Sequence, residues 1–490
     1  MKSDLSPTPL RILVAANEAQ SVTGIGDIAE FVTTLTSTLG AMGHDIRLVL
    51  PAYPQLLATA DQFTPLSRVC LLGAQNDARL LQGKLNQDVT LYLVDIPGQF
   101  DKLTSQKVSG LNFGLFSRVV TLMAINQTGL NWQPDLLHCN GWQSALAIAM
   151  LAGEWSRPAT VYTLHQTQHP LFTSDQIVPL SIPVEILKSG ALSVDGQFSY
   201  ERGALMMADH ITTPSPGFGI GLLDGKIDYP LGSLLKSKLE RFSSVPAGID
   251  YHRWSPTTDP HIEQHYDSSS FELKRINRQR LLSEFDISLD EKGLLIGYIG
   301  NTISAAEAQL IAELLSQLQQ FTSIHLLALV SGEPDCLQPL MPYRKTATPS
   351  ATIQFGENEK LNHRLMAGCD SLLLPSLTYP SPLLAQCALS YGTVPIVHAT
   401  DSMLEILTDA TPANLLHGVA TAFLYSDHTL EQLLSALTRI QRFNSKPEIW
   451  WQKLALHGMD QSFHPSETAH GYLDIYQHAI DNPAPALATG

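Results

Sequence analysis

Arg11-Ile12-Leu13-Val14-Ala15, then Ile25, Ile28, Val32, Leu35, Leu39 and Met42 at helical spacing, then Gly43 and the run Ile46-Arg47-Leu48-Val49-Leu50, together decide the fold class. The first run is too short for a helix and reads as a strand buried on both faces. The spaced apolar residues trace one face of a helix that Gly43 stops, and the second run returns as another buried strand. Strand, helix, strand is the repeating unit of a parallel sheet covered by helices.

Working outward, the first half continues the theme with strands expected at 91–94, at Leu136-Leu137-His138 and at Val161-Tyr162-Thr163-Leu164. The second half repeats it at 294–299, 326–330, 371–374 and 394–397, with helices expected near 304–320, 359–367 and 382–391. A chain of 490 residues exceeds one hydrophobic core. Two α/β domains of Rossmann-like type are therefore expected, 1–245 and 246–465, followed by a crossover helix and flexible tail over 466–490. The stretch 215–290 is rich in Gly, Pro, Ser and charge, which places the crossover between domains at 245–256. The tail 482–490 reads as disordered, and Trp450 and Trp451 read as anchors of a C-terminal helix that returns to the first domain.

Composition narrows the partners. With 46 acidic and 30 basic side chains the net charge is −16, which repels nucleic acid and anionic membranes and suits a neutral ligand. Cys70, Cys139, Cys336, Cys369 and Cys387 are odd in number, widely spaced and without a CxxC pair, so neither a disulfide framework nor a zinc site is suggested. The polar start before Arg11 reads as no cleavable signal peptide, and no apolar run reaches membrane-spanning length, so a cytoplasmic location is expected.

Specific segments then carry a resemblance. They include Thr23-Gly24-Ile25-Gly26-Asp27, Gly43-His44-Asp45, His138-Cys139-Asn140-Gly141-Trp142-Gln143, Thr163-Leu164-His165, Asp195-Gly196-Gln197 and Arg202-Gly203. Further along stand Ala208-Asp209-His210-Ile211-Thr212, Gly248-Ile249-Asp250, Trp254-Ser255-Pro256 with Thr258-Asp259, His363-Arg364-Leu365-Met366 and Tyr391-Gly392-Thr393-Val394-Pro395. In this order the chain resembles the bacterial glycogen synthases and plant starch synthases over nearly its whole length. The resemblance implies a GT-B fold, two Rossmann-like domains facing a central cleft. It also implies transfer of glucose from ADP-glucose to the end of an α-1,4-glucan with retention of configuration, and neither metal nor cofactor. The partners so implied are an α-glucan and ADP-glucose; an active synthase or other glycogen enzyme is a further partner if the chain no longer transfers glucose.

That chemistry needs cations and backbone amides on the departing diphosphate, where negative charge builds as the glycosidic bond breaks. Here the positions that the resemblance assigns to it are changed. The family's Lys-Thr-Gly-Gly-Leu-Gly-Asp loop reads Ser21-Val22-Thr23-Gly24-Ile25-Gly26-Asp27, without its Lys. Gly24 and Gly26 either close a tight strand-to-helix turn or still offer amides to an anion at the helix start. The family's diphosphate Arg and Lys align with Asn301 and Ala306, its Glu near the sugar with Tyr379, and the Asp of its His-x-x-Asp-Trp motif with Gly141. Its Thr-Gly-Gly reads Thr400-Asp401-Ser402. A charge-assisted hydrogen bond contributes about 1.5–3 kcal/mol, so losing two costs roughly 3–6 kcal/mol, or about 10²–10⁴ in rate.

His165 matches the family histidine beside the donor glucose and is either a sugar contact or a core histidine. Trp142 either stacks on a sugar or packs, and Arg202, His363, Arg364 and His398 either face ligand or serve the framework. Three functions stay open: a degenerate synthase relative that binds glucan or a partner enzyme, an active ADP-glucose synthase with a rebuilt diphosphate site, and a transferase for another donor.

Overall fold

The computed structural model describes residues 9–20, 26–58, 62–71, 76–100, 110–301, 303–344, 350–375 and 382–484. They form two compact units, one of 1–248 with 465–490 and the other of 249–464. The strands are β1 Arg11–Ala15, β2 Asp45–Pro51, β3 Thr64–Val69, β4 Ala78–Lys84, β5 Val89–Asp95, β6 Leu136–Asn140, β7 Ala159–Thr163, β8 Ser193–Val194, β9 Gln197–Phe198, β10 His210–Thr213 and β11 Phe242–Ser244 in the first unit. The second unit contributes β12 Leu294–Gly300, β13 Ile324–Val330, β14 Ala351–Phe355, β15 Ser371–Leu374, β16 Val394–His398 and β17 Phe423–Tyr425.

The first sheet runs β11-β10-β7-β6-β1-β2-β5-β4-β3. Ile12 pairs in parallel with Ile46 on one side and Leu136 on the other. Four of the five β1 residues are buried, as a strand covered by helices on both faces requires. The expected helix runs Asp27–Ala41 and buries Ile28, Val32, Leu35 and Leu39. Met42, also assigned to that face, is 37% exposed because the helix has already ended there. Asp195 and Gly196 form the two-residue turn of the β8–β9 hairpin, with φ of 47° and 82°, a backbone that Asp-Gly tolerates well.

The second sheet runs β14-β13-β12-β15-β16-β17, all parallel, and every residue of β12 and β13 is buried. The expected helices appear as Ala305–Gln317, Glu359–Gly368 and Leu383–Ser390.

Trp450 and Trp451 lie on the helix Glu448–Met459 and pack on the core of the second unit, not on the first as expected. The helix that returns to the first unit is the following one, Pro465–Asp481, which buries Tyr472 and Tyr476. There Tyr476 Oη lies 2.8 Å from His138 Nδ1, and Tyr472 Oη lies 3.2 Å from both Thr163 and Thr212 Oγ1. Burial holds His138 neutral, its pKa lowered to about 3. The expected disordered tail begins ordered: Ala484 N donates to Asp209 Oδ1 at 2.5 Å, and 485–490 lie outside the described residues. Asp209 also takes a bidentate pair from Arg157 and the Thr160 amide, which makes it framework.

Candidate functional site

In doubly wound sheets, ligands bind outside the carboxyl ends of the strands where the strand order reverses. In the first unit that point lies between β1 and β6, since β2 follows on one side of β1 and β7 on the other side of β6. Residues following β1, β6 and β7 there are Asn17 and Glu18, Gly141, and His165.

His165 Nε2 donates to Asn140 Oδ1 at 2.9 Å, and the Phe31 ring meets the imidazole edge-on at 4.9 Å. Burial lowers its pKa to about 3, so it is a neutral hydrogen-bonding group. Asn140 Nδ2 is buried with no hydrogen-bond partner among the described residues, a donor left for an incoming oxygen. Gly26 precedes the helix Asp27–Ala41 with an extended backbone, and a Cβ there would meet the Glu18 carboxylate at 3.1 Å. Gly24 lies outside the described residues. Gly141 holds φ 72°, ψ 166° as N-cap of the helix Trp142–Leu151, a conformation essentially reserved for glycine. The backbone is thus committed to the residue that replaces the family's Asp.

Burial pushes Glu18 up to about 7, the nearby Asp27 charge pushes the same way, and the Ala29 amide opposes them. A carboxyl whose folded pKa exceeds its unfolded value of about 4.5 contributes stability below that pH and loses it as pH rises through about 7. Glu18→Gln is therefore expected to raise stability at pH 8 by about 1–3 kcal/mol, discounted for residual solvent contact. Urea unfolding at pH 5 and pH 8 checks it: the variant should flatten the fall seen in the native chain.

Other sequence candidates have partners within the first unit. Trp142 is buried between Phe113 and Phe172, and Arg202 Nη1 donates to the carbonyls of Gly190 and Ala191 at 2.6 Å.

In the second unit the order reverses between β12 and β15. Asn301 follows β12, and Ala306 sits exposed in the first turn of the helix Ala305–Gln317, so no cation stands at either position. Glu307, beside it, accepts from Tyr298 Oη at 3.1 Å, and burial raises its pKa. Tyr379 lies outside the described residues. Thr400 caps the helix Asp401–Leu404 by accepting from the Met403 amide. His398 Nε2 donates to Ser426 O at 3.1 Å, and its ring lies 5.6 Å from that of His428.

His363 is 1% exposed, stacks on Trp254 at 4.0 Å and donates from Nδ1 to Asp259 Oδ2 at 2.8 Å. Arg364 forks onto Glu284, which also pairs with Arg280. These three, with Lys360 and Glu357, line a cavity off the ends of β13 and β14 that carries three basic and two acidic side chains. Sequence reasoning missed Asn140, Glu18 and Asp259 as site or hub residues. Asn140 and Asp259 stood inside the quoted segments, but their partners lie 25 and 104 residues away.

A family model described as the starch synthase catalytic domain matches residues 11–236. The glycogen synthase of Thioalkalivibrio sulfidiphilus is 30% identical over 96% of this chain and 100% of its own length. That of Cellvibrio japonicus is 31% identical over 95% and 98%. Among solved structures, the catalytic domain of starch synthase IV from Arabidopsis thaliana, bound to ADP and acarbose, matches with TM-score 0.88 at 19% identity over 97% of this chain and 100% of that one. A sucrose-phosphate synthase from Thermosynechococcus elongatus matches with TM-score 0.59 at 14% identity over 96% and 99%. The two sheets, their strand order and this full-length similarity place the chain in the glycogen and starch synthase family, with the family's GT-B fold.

Proposed function

We propose that this chain is a glycogen synthase relative whose glucosyl-transfer machinery is dismantled and which serves as a glucan-binding or regulatory partner of an active enzyme of glycogen synthesis. One observation carries this reading. The segments joining the ends of β12–β17 to the next helices, 301–304, 331–337, 356–358, 375–382, 399–400 and 426–429, contain no Lys or Arg in sequence. They contain Glu333, Asp335, Glu357 and Asp427, and Asp401 opens the helix that follows β16. A diphosphate at these strand ends would meet like charge, at about 1–4 kcal/mol per close pair depending on solvent access. The first helical cations beyond them are Lys360, in the first turn of the helix Glu359–Gly368, and Arg364, which pairs with Glu284.

An active enzyme with a rebuilt site would draw its cations from His398 and His428. Burial lowers the pKa of His398, which disfavours the charged form such a site needs. The neutral His165 and the unpartnered Asn140 amide suit hydroxyl groups instead, in keeping with glucan as ligand. The soluble-enzyme setting of glycogen synthesis is part of this proposal; among the described residues no helix is long and apolar enough to cross a membrane.

The test is transfer of labelled glucose from ADP-glucose to a glucan primer beside a family synthase. Transfer lower than the control by at least about 10² is expected from two lost contacts. Rates matching the control would overturn the proposal.

A further inference from the structure

We infer that His261, Glu359 and His363 form a binding site for a divalent transition-metal ion, zinc by its donor chemistry, within the second unit. One ligand atom from each lies within 4.8 Å of the others. Glu359 and His363 are four residues apart on the helix Glu359–Gly368, so both side chains leave the same face. His261 arrives from the segment after Asp259, its ring 4.9 Å from that of His363.

The buried histidine is already oriented as a ligand. Its Nδ1 proton is held by Asp259 at 2.8 Å, which leaves Nε2 as the nitrogen with the lone pair. That Nε2 is buried, on a side chain 1% exposed, and has no hydrogen-bond partner among the described residues. A carboxylate behind a histidine is the arrangement that fixes ring and tautomer in metal sites and makes the free nitrogen a stronger donor. Asp259 is itself fixed by the Tyr391 hydroxyl at 2.5 Å and the His261 amide at 2.9 Å, so one carboxylate positions both histidines.

Two imidazoles and one carboxylate suit zinc and its neighbours better than calcium or magnesium, which prefer all-oxygen shells. Ligand atoms on a tetrahedral zinc stand about 3.3 Å apart. Closing to that spacing takes torsions of the exposed Glu359 and a turn of the partly exposed His261, while His363 stays in place. Arg253 is the competing cation: its Nη2 lies 2.6 Å from Glu359 Oε1, so zinc must share or displace it. A water completes the fourth position, and the ion ties the segment after Asp259 to the helix Glu359–Gly368. No cysteine takes part, so cysteine spacing carried no sign of the site.

The test uses full-length protein stripped with a chelator and titrated with zinc chloride by calorimetry, with cobalt(II) absorption as the probe of geometry. His261→Ala and Glu359→Gln alter solvent-accessible ligands and leave the buried His363–Asp259 pair intact; circular dichroism verifies their fold. Equimolar zinc binding in the native chain, weakened at least tenfold in each variant, with tetrahedral cobalt bands lost in His261→Ala, is expected. The proposal is overturned if the native chain takes up no equimolar zinc, or if zinc affinity and the cobalt spectrum are the same in the native chain and both variants.

Discussion

Asn301→Arg combined with Ala306→Lys is expected to tighten ADP binding about 10²-fold over the native chain, read by calorimetry. The two positions flank the end of β12 at the reversal point of the second sheet, the one following the strand and the other in the first turn of its helix. Ala306 is exposed, so a lysine meets no packed neighbour. Two charge-assisted contacts at the lower end of their range contribute about 3 kcal/mol, which is about two powers of ten in affinity. If the double variant binds ADP no better than the native chain, the proposal that the missing cations disable this site fails. Glu307 and Asp401, left in place, would then be the next groups to neutralise.

Asp259→Ala is expected to destabilise the second unit by about 3–5 kcal/mol, the range for removing one partner of a buried charged network. Asp259 is fully buried and accepts from His363 Nδ1, Tyr391 Oη and the His261 amide. Burial alone would lift its pKa, but the bonds from His363 and Tyr391 hold it below the ordinary carboxylate value. Its contribution is therefore present above about pH 4, the unfolded value, and is lost as pH falls through the lower folded value. Asp259→Ala leaves the Tyr391 hydroxyl and His363 Nδ1 without an acceptor in the core. Denaturant unfolding at pH 7 measures the loss, and a change under about 1 kcal/mol would contradict the hub role.

The central strands were legible because burial on both faces leaves a plain apolar run, as in Ile12-Leu13-Val14-Ala15 and Leu294-Leu295-Ile296. The edge strand β3 and the strand β10, one in from the other edge, were not. β3 is mostly exposed and reads Thr-Pro-Leu-Ser-Arg-Val, without a buried face to set a period. β10 is fully buried yet reads His-Ile-Thr-Thr, because Thr212 and Thr213 satisfy their hydroxyls on neighbouring side chains instead of offering apolar surface. At the candidate sites, family motifs pointed to His165 and to the substituted positions Asn301 and Ala306, which follow β7 and β12. The same motifs also drew in Arg202, Arg364 and Trp142, side chains with partners elsewhere in the chain. Which role a motif residue takes depends on such distant partners, and spacing along the sequence does not contain them.

Calorimetric titration of the native full-length chain with ADP, ADP-glucose and a maltooligosaccharide, beside a family synthase, tests the proposed loss of the diphosphate site most directly. Saturable binding of the maltooligosaccharide with no nucleotide heat is the predicted result. Micromolar binding of ADP or ADP-glucose would contradict it, since the loops at the ends of β12–β17 contain no Lys or Arg in sequence to hold a diphosphate.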